Sequence, residues 1–310
     1  YRAWLKRADE PSAISPAPRP MPAPPTGARP RRLSVTKIET WMRDPYQIYA
    51  RYILDLAALD PIDADAGGAE RGMFIHAALD GFIKTYSGDL PDDAVARLLD
   101  FGRRAIAEMR LPPEVVAFWW PRFERIAGEF IAQERVWRKT ARVVATEAEG
   151  KIEFKAGLKP FTLTAKADRI DRLAEGGYAV IDYKSGFVPE TREVRSGLSP
   201  QLPLEAWMAQ GGAFAAVPPA EVGEMIYWKV TGSGATPVEI KPLRAKEGGA
   251  QALIAAAEEG LKNLIKKFDD EKTPYISRPR ADAPARFSDY DYLARTREWG
   301  IAGDEEGEAA

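Results

Sequence analysis

Through Trp137 the apolar residues of this 310-residue chain recur at helical spacing, and from Val143 onward they recur at every second position. A chain whose period changes in this way builds both helices and a sheet, and the order of its segments limits how the two meet. Helices are expected at 34–43, 46–56, 70–83, 92–108 and 113–137. Strands are expected at 143–155, 161–173 and 178–184, separated by turn residues as in an antiparallel meander. Helix returns from Gln201 to Phe214, followed by a strand from Glu224 to Val230, a shorter one at 237–241 and a long helix from Gly249 to Phe268. Strict βαβ repetition is absent. The expected architecture is therefore one α/β domain, a mixed central sheet flanked by helices with a largely helical N-terminal half.

Ahead of this pattern lies Pro11-Ser-Ala-Ile-Ser-Pro-Ala-Pro-Arg-Pro-Met-Pro-Ala-Pro-Pro25, where each proline fixes φ and removes a donor. Such a stretch is expected to be a semi-extended tether. The first residue is Tyr and not Met. Together these predict a piece of a longer polypeptide, with 1–32 the remnant of a preceding region plus a linker, 33–300 the folded domain and 301–310 an acidic disordered tail.

Chemistry is concentrated in the hairpin formed by Thr164–Leu173 and Tyr178–Gly186. The apolar run Ala179-Val-Ile181 is followed by Asp182 and Lys184, and their spacing of two puts both on one face of a strand. If the turn at Ala174–Gly177 pairs residues whose numbers sum to about 350, Asp168 lies across from Asp182, about 4.5–5.5 Å away at Cβ. Two carboxylates so close repel unless a cation lies between them. Hard oxygen donors point to Mg²⁺ or Mn²⁺, and such an ion can activate water against a phosphodiester. Lys184 could orient or deprotonate that water, or neutralise the phosphorane, although a surface lysine paired with Asp182 would have the same spacing. Tyr183 points the other way and offers at most its backbone carbonyl. His76, the only histidine, sits among Gly72, Ala77, Ala78 and Gly81 on a helix able to approach a sheet closely, either as a cation ligand or as a satisfied core residue. Gln201, after Pro200 at a helix start, is suited to positioning phosphate or water, or to plain capping.

Composition removes most rival chemistries. With no Cys and one His, disulfides, thiolate zinc sites, cysteine-held iron–sulfur clusters and most His-based triads are excluded, and the cysteine count suits a reducing cytoplasm. No run of 18 apolar residues occurs and no signal peptide opens the chain, so no membrane role is expected. The net charge of −2 offers no bulk attraction for nucleic acid, despite basic clusters at Arg29–Arg32 and Arg138–Arg142.

Taken in order, His76, Asp168, Asp182-Tyr-Lys184 and Gln201 resemble the RecB-type branch of the PD-(D/E)XK nuclease superfamily, over residues 33–230. Within it the chain is most similar to the nuclease domains of AddB-type subunits of helicase–nuclease complexes. Leu33-Ser-Val-Thr-Lys-Ile-Glu-Thr-Trp41, Pro45-Tyr-Gln-Ile-Tyr-Ala-Arg51 and Gln201-Leu-Pro-Leu-Glu205 carry that likeness. The resemblance implies a restriction-endonuclease-like fold and a metal-dependent deoxyribonuclease of the cytoplasm. It would cut single strands delivered by an AddA-like helicase partner during double-strand break repair; a catalytically degenerate DNA-binding scaffold is the alternative. It further implies Asp168, Asp182, His76 and the Tyr183 carbonyl as Mg²⁺ or Mn²⁺ ligands, Lys184 as the catalytic lysine, and Gln201 facing the phosphate. Two positions depart from the pattern. Glu205 stands where many relatives carry Tyr, and Asp44 stands where many carry a cluster-binding Cys. No iron–sulfur cluster is therefore expected, and packing must join the two ends of the domain, with Phe287–Trp299 a candidate for it.

Overall fold

The computed structural model describes residues 1, 4, 18–59, 67–244, 248–280 and 288–299. Strands β1 (Arg32–Ser34), β2 (Ala141–Ala156), β3 (Lys159–Leu173), β4 (Tyr178–Lys184), β5 (Val222–Val230) and β6 (Val238–Pro242) form one sheet. Its order is β1-β3-β4-β5-β6, with β2 paired along the far edge of β3. The pairs β1/β3 and β4/β5 are parallel and the others antiparallel, so the sheet is mixed as expected. The hairpin register also follows the turn: Arg169 pairs with Ile181 and Ile170 with Val180.

The helices are α1 (Val35–Arg43), α2 (Pro45–Tyr52), α3 (Gly68–Thr85), α4 (Ala94–Met109), α5 (Pro113–Trp137), α6 (Thr191–Arg195), α7 (Gln201–Gln210) and α8 (Gly249–Phe268). On one face of the sheet Ile38 and Trp41 of α1, Leu204 of α7 and Leu261 of α8 pack with Val180 and Tyr227. On the other, Phe74 and Leu79 of α3 and Phe123 and Phe130 of α5 pack with Ile181, Tyr183 and Trp228. Alternate residues of β4 thus belong to two cores. This is why Ala179-Val-Ile181 reads as a continuous apolar run. Each large side chain so buried contributes about 1.5–3 kcal/mol.

Several boundaries differ from the expectation for local reasons. Strand β1 has three residues, too few to display a period. Helix α2 ends at Tyr52 instead of Leu56, because the Ile53 and Leu54 amides both turn back to the Tyr49 carbonyl and Asp55 takes φ +54°. Helix α7 stops at Gln210, where Gly211 is followed by Gly212 at φ +68°. The five-residue α6 has no counterpart among the expected elements, being too short to display a helical period.

The described part of the expected linker is exposed or half-buried except at Arg29, but it is fastened to the domain by hydrogen bonds. The buried Arg29 guanidinium donates to the carbonyls of Phe268 (2.7 Å), Asp270 (2.9 Å) and Glu271 (2.9 Å), satisfying acceptors left over at the end of α8. The Tyr275 amide donates to the Pro22 carbonyl at 2.8 Å. Residues 301–310 lie outside the described residues, as do most of 1–17. At the other end, the Tyr290 hydroxyl donates to the Leu56 carbonyl (2.8 Å) and the Tyr46 hydroxyl to the Leu293 carbonyl (3.3 Å). Ala294 is buried against Tyr46 and Ala50. Buried Asp44 accepts from Gln47, Ser277 and the Arg278 amide. The two ends are thus joined by packing and hydrogen bonds; Phe287 is outside the described residues.

Candidate active site

Strand β3 leaves β1 after Thr164 and joins β4 only at Arg169, and Asp168 occupies the opening between them. There Asp168 Oδ2 accepts the Tyr183 amide at 2.8 Å, in the place a ladder carbonyl would take. Along the far edge of β3, the pairs Thr146↔Arg169 and Ala148↔Ala167 flank Glu147 and Asp168. Glu147 takes φ +47°, uncommon for a non-glycine residue. Both acids therefore sit at the level where the strands splay.

Helix α3 crosses this level at close range: a Cβ at Gly72 would stand 3.0 Å from Ser185 Oγ, so the glycine sets the approach. One turn on, His76 Nε2 lies 2.9 Å from the Tyr183 carbonyl, and Nδ1 lies 3.6 Å from Asp168 Oδ1. Nitrogen or oxygen atoms of His76, Glu147 and Asp168 all fall within 4.8 Å of one another. An open groove of about 570 Å³ leads to them, bordered by Asp80, Lys84 and Lys166. Lys166 pairs with Glu147, and Lys84 pairs with Asp80 at 2.8 Å.

Across β4 a second set forms. Lys184 Nζ stands 2.9 Å from Asp182 Oδ1 and 2.8 Å from Oδ2. Gln201 donates Nε2–H to Asp182 Oδ1 (2.9 Å) and to Glu205 Oε1 (3.1 Å), and its Oε1 accepts from Lys184 at 3.2 Å. Gln201 is thus an internal brace between strand and helix. Glu205, 1% exposed, points inward instead of toward a ligand in solvent. Burial and then the Asp182 charge hold the carboxyls of both Asp168 and Glu205 well above the usual range. Burial lowers the Lys184 amine, but facing Asp182 outweighs it and the net shift is upward, which keeps an ammonium there. A lysine so paired stabilises charge more readily than it takes a proton from water.

Tyr183 projects to the opposite face, as its alternation predicts. Its hydroxyl accepts from Arg169 Nη1 at 3.2 Å. Fully buried Arg169 also grips Asp171 through two bonds of 2.8 and 2.7 Å and pairs with buried Glu134, which Arg138 holds at 2.6 Å.

The model of the PD-(D/E)XK nuclease superfamily matches residues 32–283. The chain belongs to this superfamily. An uncharacterized protein of Rickettsia bellii is 31% identical over 185 residues, 60% of this chain and 22% of that protein. One from Rickettsia felis is 28% identical over 224 residues, 71% of this chain and 26% of its own length. An ATP-dependent helicase/deoxyribonuclease subunit of Streptococcus mutans is 26% identical over 181 residues, 56% of this chain and 16% of that protein. The chain therefore spans about a quarter or less of the length of these relatives.

Membership accounts for the restriction-endonuclease-like sheet, and the divalent cation typical of the superfamily can be set against this donor set. The fit is good. Carboxylates, an imidazole and a carbonyl converge without sulfur, as a hard cation requires. Glu205 Oε2 is buried without a hydrogen-bond partner, and Asp168, Asp182 and Glu205 crowd three carboxyls around the single Lys184 ammonium. Among the described residues the three-ligand cluster is His76, Glu147 and Asp168, with the Tyr183 carbonyl beside it; Asp182 is engaged by Lys184 and Gln201 and stands outside it. Sequence reasoning misses Glu147. Its only signal is an acid opposite Asp168, and sequence alone does not reveal that the strand twists its carboxylate inward.

Proposed function

We propose that this chain is the nuclease domain of an AddB-type protein, a Mg²⁺- or Mn²⁺-dependent deoxyribonuclease that cuts single DNA strands delivered by a helicase partner in the cytoplasm. Its role would be the resection of double-strand breaks for recombinational repair. The observation that carries the reading is the Tyr183 peptide group. Its amide binds Asp168, its carbonyl meets His76, and the residues on either side of it in β4 are Asp182 and Lys184. A metal centre and a lysine that stabilises charge thereby flank one position where a phosphodiester can sit. The similarity to the helicase/deoxyribonuclease subunit of Streptococcus mutans supports the assignment to that type.

In this reading His76, Asp168, Glu147 and the Tyr183 carbonyl would hold the cation, and Asp182 would join them where the cation competes with Lys184 for its carboxylate. The chemistry such an ion supplies is charge neutralisation at the scissile phosphate and a lowered water pKa. Lys184 presents its ammonium to charge developing on the phosphate oxygens. Gln201 holds Asp182 and Lys184 in register, so neither turns away when substrate binds.

Digestion of linear DNA with Mg²⁺ or Mn²⁺, comparing this chain and its assembled complex with their Asp182→Ala forms, tests the proposal. Cleavage should be lost in the variants. Cleavage by the full complex that survives with its strand preference unchanged would assign this domain to a scaffold role.

A further inference from the structure

A groove of about 570 Å³ lies on the α1/α8 side of the sheet, apart from the groove that leads to His76. Its floor is apolar, formed by Trp41, Met42, Leu264 and Phe268. Among the described residues its charged lining consists of Arg195, Lys267 and Arg280, with no carboxylate. All three cations are exposed, and among the described residues none is engaged in an ion pair. The wall formed by Val194–Leu198 is braced from behind. Buried Arg43 donates to the Leu198 carbonyl and to Ser199 Oγ, each at 3.0 Å, and pairs with Glu193 at 3.1 Å. That same wall runs through Ser199 and Pro200 into Gln201, whose side chain holds Asp182 and Lys184.

We infer that this groove is a binding track for single-stranded nucleic acid, feeding or draining the cleavage site. Phosphates would lie on Arg195, Lys267 and Arg280, and bases on the apolar floor. Charge complementarity and position both favour it. Among the described residues the rim cations carry no ion pair, and such a rim suits a polyanion; half-buried Met42 and Leu264 offer its bases apolar contact above buried Trp41 and Phe268, and the wall ends three residues before Gln201. It also reconciles a net charge of −2 with a nucleic-acid substrate, since the attraction is local. An acidic partner helix would use the charges but has no need of a wall running into the catalytic brace.

This inference rests on the nuclease reading, and the experiment separates the two. Binding of fluorescein-labelled oligothymidylate is followed by anisotropy in chelator across a salt series, and cleavage is measured separately with Mn²⁺. For Arg195→Gln/Lys267→Gln/Arg280→Gln, the slope of log affinity against log salt should fall in magnitude by about 2, from roughly 0.7 per phosphate contact on a single strand. Gly260→Leu places a side chain toward Met42, whose Cε would lie 3.8 Å from the new Cβ. It should weaken binding about 5-fold or more while leaving the slope alone. Melting curves confirm that each variant is folded. An unchanged slope in the triple variant, the result expected if an acidic protein docks there instead, overturns the track. So does unaltered affinity in Gly260→Leu. A wild-type chain and complex that neither bind nor cut DNA would instead overturn the proposed function.

Discussion

Arg169 donates a hydrogen bond to the Tyr183 hydroxyl at 3.2 Å, on the face of the sheet opposite Lys184. The ring it fixes belongs to the residue whose amide and carbonyl meet Asp168 and His76. Tyr183→Phe should therefore weaken Mn²⁺ binding about 10-fold, the usual scale for a group that orients a ligand, while costing about 0.5–1.5 kcal/mol of stability. Calorimetric titration with Mn²⁺ checks the first figure and urea unfolding the second. Unchanged Mn²⁺ affinity would reduce the phenol to a core hydrogen bond. Arg169→Met, which strands Asp171 and part of Glu134, should destabilise by about 3–5 kcal/mol.

Lys184→Ala separates catalysis from binding. The ammonium now occupies both oxygens of Asp182, at 2.9 and 2.8 Å, and removing it frees that carboxylate. Cleavage should fall about 100-fold or more, as when one group stabilising transition-state charge is lost. Mn²⁺ affinity should hold or rise, because a competing cation has gone. Parallel loss of both would mean that Lys184 serves to assemble the centre.

Most of the fold and part of the site are legible in the sequence, for physical reasons that differ by residue. Strands β2 to β4 announce themselves by period two, and the register follows because one tight turn fixes every pair after it. Asp182 is conspicuous for interrupting an apolar run, and His76 for being alone. Glu147 is not, since Glu149 and Glu153 accompany it on the same strand and only the φ of +47° singles it out. Glu205 reads as a substitution at a contact position. Its actual setting, buried beside Gln201, depends on how α7 rolls against β4, which no local pattern encodes. Arg29 looks like part of a basic linker because its partners are carbonyls some 240 residues away.

Asp44 makes stability depend on pH. Burial raises its carboxyl above 3.8, and bonds from Gln47, Arg278, Tyr46 and Ser277 only partly offset this. An acid whose folded pKa is raised favours the folded state most below its unfolded value and loses that contribution as pH climbs through the folded one. Asp44→Asn removes the titration. The variant should therefore gain on the wild type as pH rises from below about 4 toward neutrality, by about 1.4 kcal/mol for each unit of upward displacement. Urea midpoints of both proteins across that range decide it. A difference that stays flat would mean that the hydrogen bonds fully offset burial.

Glu147 offers a trade between stability and binding. Its φ of +47° is a conformation that glycine adopts freely and glutamate does not, and its pair with Lys166 is on an exposed lysine worth at most about 1 kcal/mol. Glu147→Gly should leave unfolding stability within about 1 kcal/mol of the wild type, since relief of strain offsets the lost ion pair and the added chain entropy. The same change removes one carboxylate of the His76–Glu147–Asp168 cluster, and Mn²⁺ affinity should fall about 10-fold. A residue kept for the sheet would behave the other way, with stability falling and the titration unchanged. Glu147→Gln separates the two contributions further: it retains the strained backbone, so it should bind Mn²⁺ as poorly as the glycine variant without the relief of strain.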